Sequence, residues 1–184
     1  MKELSLNILD IAENSLKAGA ALTEILLYET DTTLKLVIKD NGSGMSKETV
    51  LAVTNPFYTT RTTRSVGLGI PLLKLAAEQT GGAFQIESKI ADELDSSHGT
   101  TVTALFYKNH LDFTPLGDVV STIQTLIQGH PDRDFLFIHE KDGKKVSIDT
   151  REIREVLEGV PLDTFEVLEW ISDNLSEQYK EVEF

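Results

Sequence analysis

An α/β two-layer sandwich is the fold class this 184-residue sequence predicts. It is a mostly antiparallel mixed sheet with helices on one face, plus a small α+β region at the C-terminal end. Three observations lead there. Short apolar alternations come in pairs joined by turn residues, as hairpins do. Amphipathic helical stretches stand between the pairs. The chain has 40% hydrophobic residues and is long enough to bury a shared core.

Residues 4–18 open the chain as a helix. Leu6, Leu9, Ala12 and Leu16 recur at helical spacing, Ile8 and Ile11 widen the stripe, and Gly19 follows in the place of a left-handed C-cap. Segments 22–29 and 34–39 alternate as strands around Asp31-Thr32-Thr33. Asp40-Asn41-Gly42-Ser43-Gly44 then makes a sharp loop. Ser46 is the expected N-cap of a short helix ending near Val53. Residues 55–68 have no clean period and crowd threonines and arginines together. A helix over 70–79, closed by Thr80-Gly81-Gly82, leads into strands 83–90 and 100–107, with a polar, acidic loop between them.

The stretch from Asn109 to Pro115 reads as a boundary, so the expected division is 1–108 and 109–184. In the second part a helix is expected over 116–127. A hairpin follows over 135–140 and 144–149 around Asp142-Gly143, a strong turn signal. Next comes a short helix over 150–158 with Ile153, Val156 and Leu157 on its apolar face. The last helix, 163–177, is expected to turn Phe165, Leu168, Ile171 and Leu175 inward.

Composition excludes several function classes. A net charge of −13 and a pI near 4.7 make nucleic acid a poor main partner. With no cysteine there is no disulfide, thiolate metal site or cysteine nucleophile. The amino terminus does not read as a signal peptide, and no apolar run approaches the roughly 18 residues of a membrane span. A soluble, cytoplasmic protein is the expectation.

Four clusters carry chemistry. Asp10, Asn14 and Lys17 stand at i, i+4 and i+7 on one helix face. A carboxylate and an amide oxygen suit magnesium, and a lysine suits phosphate; a solvated polar face is the plainer alternative. Asp40-Asn41-Gly42-Ser43-Gly44-Met45 follows a strand, where glycines allow close backbone approach and Asp40 can accept hydrogen bonds. It lacks the acidic repeat of a calcium loop. Gly67-Leu68-Gly69 opens a helix behind Arg61 and Arg64, a place for an anion, although it matches neither the dinucleotide fingerprint nor the P-loop. His98-Gly99-Thr100-Thr101 leads into a strand, and Thr101 offers a hydroxyl. Each cluster alone also reads as ordinary structure.

In order and spacing, the four clusters resemble the nucleotide boxes of the GHKL ATPase superfamily, the histidine kinase-like ATPases with the Bergerat ATP-binding fold. Glu13-Asn14-Ser15-Leu16 with Ala18-Gly19-Ala20, and Asp40 to Met45, look most like mismatch-repair ATPases. Pro56-Phe57-Tyr58-Thr59-Thr60, Gly67 to Ile70 and Glu78 to Gly82 look most like sensor histidine kinases. The resemblance covers residues 4–107 and implies ATP and Mg²⁺ as cofactors. It implies that Asn14 holds the magnesium, Lys17 touches a phosphate, and Asp40 binds the adenine amine with a water shared by Thr101. Gly42 and Gly44 would pass under the base. Residues 55–68, with Thr59 and Arg61, would be the lid, and Gly67, Leu68 and Gly69 would meet the phosphates.

One departure matters. Where hydrolysing relatives carry a glutamate four residues before the magnesium asparagine, this chain has Asp10, one methylene shorter. Asp10 is then either a poorer general base or a second magnesium ligand, and both imply slow turnover. Glu13, adjacent to Asn14, lies about 100° round the helix from it and is a weaker candidate. The ATP-binding helix begins almost at Met1, so self-phosphorylation on a preceding histidine is not expected. The expected function is a stand-alone slow ATPase or a kinase acting on a partner protein. The alternative is a non-hydrolysing ATP-dependent switch read through the lid and the C-terminal region. Acidic residues dominate from Arg151 onward, which suits either a solvated face or a basic protein partner. Oligomeric state stays open, a homodimer included.

Overall fold

The computed structural model describes residues 3–55, 68–92 and 97–182. Its elements are α1 (Leu4–Lys17), β1 (Leu22–Glu29), β2 (Thr33–Asp40), α2 (Lys47–Thr54), α3 (Gly69–Gln79), β3 (Ala83–Lys89) and β4 (Gly99–Tyr107). Then follow α4 (Val119–Gly129), β5 (Asp134–Lys141), β6 (Lys144–Asp149), α5 (Thr150–Leu157) and α6 (Phe165–Val182). The strands form one sheet in the order β3-β4-β2-β1-β5-β6. Every neighbouring pair is antiparallel except β1 with β5, which run parallel from Leu22↔Asp134 to Glu29↔Lys141. The α/β sandwich with a mixed, mostly antiparallel sheet is therefore observed. No helix among the described residues is long and apolar enough to cross a membrane.

Period-two alternation decides which side chains face the helices. Ile25 and Leu27, Leu34, Leu36 and Ile38, and Val102, Ala104 and Phe106 are buried on the helix-covered side, with Phe135, Phe137, Val146 and Ile148 from the last two strands. Together with α1, α3, α4 and α6 they make one continuous apolar core.

Local signals set the element ends. Gly19, at φ 78°, closes α1; its N–H donates to Leu16 O and that of Ala20 to Ser15 O, the paired bonds of a Schellman motif. Ser46 caps α2 by accepting from Thr49 N at 3.2 Å. Asp142 and Gly143 both take positive φ, as a two-residue type I′ turn requires.

Four expectations fail for identifiable reasons. In α1 the inward face is Leu4, Ile8, Ile11 and Ala12, and Leu6 is 44% exposed. At about 100° per residue the inward four span less than a third of a turn, and Leu6 lies across from them. Phe165 is also exposed, because Leu162, just before α6, fills the buried place ahead of Leu168. Val156 is 82% exposed, since nothing in the described chain covers that side of α5. The α4 helix starts at Val119, later than the spacing predicts: Asp118 caps it by accepting from Ser121 N at 2.9 Å.

Candidate functional site

Asp40 ends β2 on the helix-facing side, in phase with Leu34, Leu36 and Ile38, and is 9% exposed. Its Oδ2 accepts from Ser15 Oγ of α1 at 2.7 Å. Its Oδ1 accepts from Gly42 N at 2.9 Å and from Thr100 N at 3.2 Å. All three donors are neutral. A carboxylate offers about four lone-pair sites, so room remains for one more donor. The loop after Asp40 lies tight against its surroundings. Ser43 N donates to Ala18 O at 2.9 Å, and His98 Nδ1 pairs with Gly42 O at 2.6 Å. A Cβ on Gly42 would fall 2.9 Å from Ala18 O, and one on Gly44, at φ 69°, would strike Lys89 O. Only glycine lets the backbone lie this close.

Asp10, Asn14 and Lys17 fall within an arc of about 60° on one flank of the buried face of α1. Asp10 and Lys17 are exposed and Asn14 is half-buried. The start of α3 meets this flank: a Cβ on Gly69 would stand 2.9 Å from Asp10 Cβ. No side chain caps α3, and its first helical bond is Leu72 N to Leu68 O. The amides of Gly69 and Ile70 are thus free of intrahelical partners, the arrangement that attracts an anion. Asp40 and Gly42 thus meet α1 at Ser15 and Ala18, and Gly69 meets it at Asp10, with Leu68 exposed beside Gly69.

Thr101 is not brought to Asp40. It pairs with Lys39 across β2–β4, one residue out of phase, and so lies on the opposite sheet face. Thr100 stands opposite Asp40 instead, with its hydroxyl 2.8 Å from Ser88 Oγ. Thr59, Arg61 and Gly67, and the lid as a whole apart from its end residues Asn55 and Leu68, lie outside the described residues. Sequence reasoning missed Ser15 and Thr100 as partners of Asp40. Ser15 carried a signal: a polar residue on the inward arc of an amphipathic helix needs a partner. Glu13 is engaged elsewhere, 3.0 Å from His130 Nε2.

Among the described residues no group of three or more histidine, cysteine or acidic side chains forms a metal cage. Asp10 and Asn14 supply two oxygens, which suits a hard cation held mostly by water and phosphate. Among the described residues, two buried side-chain atoms are left without a partner, Asn7 Nδ2 and Thr23 Oγ1. Asn7 is one turn before Asp10 and two turns before Asn14 on the same stripe, and Thr23 faces Asp40 in register.

A second polar centre lies at the far end of the same hairpin. Glu29 bonds Lys108 Nζ and His139 Nε2, the latter at 3.0 Å, and His139 Nδ1 meets Tyr179 Oη at 2.8 Å. Burial pushes Glu29 up, but Lys108 and His139 together outweigh it and hold the carboxyl below its usual range. Burial pushes His139 down, only partly offset by Glu29. Burial also pushes the Tyr179 hydroxyl up. A neutral imidazole that donates from Nε2 to Glu29 and accepts at Nδ1 from the tyrosine fits all three directions.

The family model for histidine kinase-, DNA gyrase B- and HSP90-like ATPases matches residues 1–110. The sensor histidine kinase YvrG of Bacillus subtilis is 32% identical over 101 residues, covering 52% of this chain and 16% of its own length. Sporulation kinase C of the same organism is 28% identical over 89 residues, covering 48% of this chain and 20% of its own. The chain thus spans a small part of the curated relatives it matches. Among solved structures, the ATPase domain of Aquifex aeolicus MutL complexed with ADP aligns with a TM-score of 0.55 at 16% identity, covering 86% of this chain and 70% of that one. The N-terminal domain of a DNA repair protein aligns with a TM-score of 0.57 at 17% identity, covering 80% and 52%. At these identities the structural likeness speaks for the fold alone.

Proposed function

The chain belongs to the histidine kinase-, DNA gyrase B- and HSP90-like ATPase family, and from that premise we propose that it binds Mg-ATP and either hydrolyses it slowly or transfers its phosphate to a partner protein in the cytoplasm. Family membership supports ATP binding; the rest of this reading stands on the site. One observation carries it: Asp40 is a buried carboxylate held only by neutral donors, with a lone-pair site left over for the adenine amine.

In this reading residues 1–108 hold the nucleotide and residues 109–184 meet the partner. Asn14 and Asp10 hold the magnesium, which when bound neutralises phosphate charge. Lys17 and the free amides at Gly69 and Ile70 receive the phosphates. Thr100, rather than Thr101, is the residue placed to share a water with Asp40. Thr59, Arg61 and Gly67 belong to the closing lid.

Asp10 favours a second reading, a switch that binds ATP without turning it over. Its carboxylate is shorter than the glutamate of hydrolysing relatives, and small displacements of a general base cost heavily. Calorimetry with Mg-ATP, Mg-ADP and GTP tests the site. Mg-ATP is expected to bind, GTP to bind far more weakly, and Asn14→Ala to lose the magnesium dependence. Equal affinity for GTP would remove the Asp40–adenine assignment. Phosphate release no faster than in Asp10→Ala would select the switch.

A further inference from the structure

The region after residue 109 leaves an apolar groove of about 590 Å³ between α5, α6 and the sheet-edge strand β6. Ile153, Leu157 and Val167 form its floor, and Val156 and Trp170, 82% and 53% exposed, form its lips. Aliphatic and indole surface left open together, beside a polar rim, marks an interaction site more than a scattered exposed residue does.

Two features narrow the occupant. The outer edge of β6 is already taken at Ser147, whose N–H and C=O bond the Gln178 side-chain amide at 2.9 and 3.0 Å. An added β-strand would have to displace that amide, whereas a helix could lie between α5 and α6 on side-chain contacts alone. The charge at the groove is also one-sided. Arg151 is held by Asp149 and Arg154 by Asp134, while Glu152 and Glu166, both exposed and lining the groove, form no ion pair among the described residues. A second copy of this chain, at net charge −13, would bring like charge to that rim.

We propose that this groove docks an amphipathic helical segment of a partner protein, with basic residues flanking its apolar stripe. This rests on the partner reading above and names its surface. The groove lies three strands from Asp40 in the sheet order, so its occupation does not require bound nucleotide.

The test uses the full chain without nucleotide and two synthetic helical peptides sharing one leucine stripe, one flanked by lysines and the other by glutamates. Trp170 is the only tryptophan, so its emission reports the groove alone. The lysine peptide is expected to bind at least about tenfold more tightly and to shift Trp170 emission to the blue. The double change Glu152→Lys, Glu166→Lys is expected to reverse that preference, and Glu78→Lys, Glu87→Lys, elsewhere on the acidic surface, to leave it. Asp40→Asn is expected to lose ATP and keep the peptide, so failure of the nucleotide reading and failure of the docking reading are told apart. Equal binding of the two peptides, a preference unmoved by the groove reversal, or self-association of the free chain that masks Trp170 would overturn the proposal.

Discussion

Asp40 and Glu29 are carboxylates at opposite ends of one hairpin, and they are satisfied in opposite ways. Asp40 takes a hydroxyl and two backbone amides, all neutral, with no cation among these partners. Glu29 is closed by Lys108 and His139. The first arrangement keeps one place for an incoming donor, as a binding site needs. The second is neutralised from within by Lys108, just after β4, and through His139 it ties β1 to β5 and α6. Burial alone therefore does not tell a carboxylate proposed to bind nucleotide from a structural one; the charge of its partners does.

The sharpest way to break this contrast is Asp40→Asn. The asparagine oxygen can keep the Gly42 and Thr100 amides, while its nitrogen faces Ser15, whose hydroxyl can turn to accept. The fold should survive, but a donor now meets the adenine amine. Mg-ATP affinity should fall on the order of 100-fold by calorimetry. Glu29→Gln should do the reverse: lose about 2 kcal/mol of stability in denaturant titration and leave ATP affinity unchanged. If both substitutions weaken ATP alike, the two ends are coupled and the contrast is wrong.

Gly69→Ala comes next. Its Cβ would meet Asp10 Cβ at 2.9 Å and push that side chain off its place. Any ATP turnover should slow by about tenfold with a smaller change in ATP affinity, read from kcat and KM. A rate left unchanged would separate Asp10 from the chemistry.

The smallest effect is that of pH. The folded-state pKa of His139 lies below its ordinary 6.5, so its contribution to stability is present above that value and is lost as pH falls below it toward the folded pKa. Glu29, held below 4.5, adds a second loss at lower pH. Denaturation midpoints should therefore decline on acidification from pH 6.5. In Glu29→Gln the lower stage should disappear.

Much of the architecture was legible in the chain itself. The Schellman end at Gly19, the Ser46 cap and the Asp142-Gly143 turn are set by residues within a few positions of one another, so spacing and residue type suffice. The stripe of Asp10, Asn14 and Lys17 follows from helical period in the same way. The errors arose where a neighbour distant in sequence decides. Leu6, Phe165 and Val156 are apolar enough for the core, yet only packing selects which arc of a helix is covered.

What the sequence determined by itself is therefore local: the elements, their caps and the order of the boxes along the chain. The tertiary structure decided the rest. Register put Thr100 rather than Thr101 beside Asp40, because a shift of one residue changes the sheet face. Parallel pairing of β5 with β1 brought His139 to Glu29 across 110 positions. It also left α5 and α6 with an open groove at the sheet edge. Contacts between such distant residues depend on which surfaces meet when the chain collapses, and no local pattern encodes that.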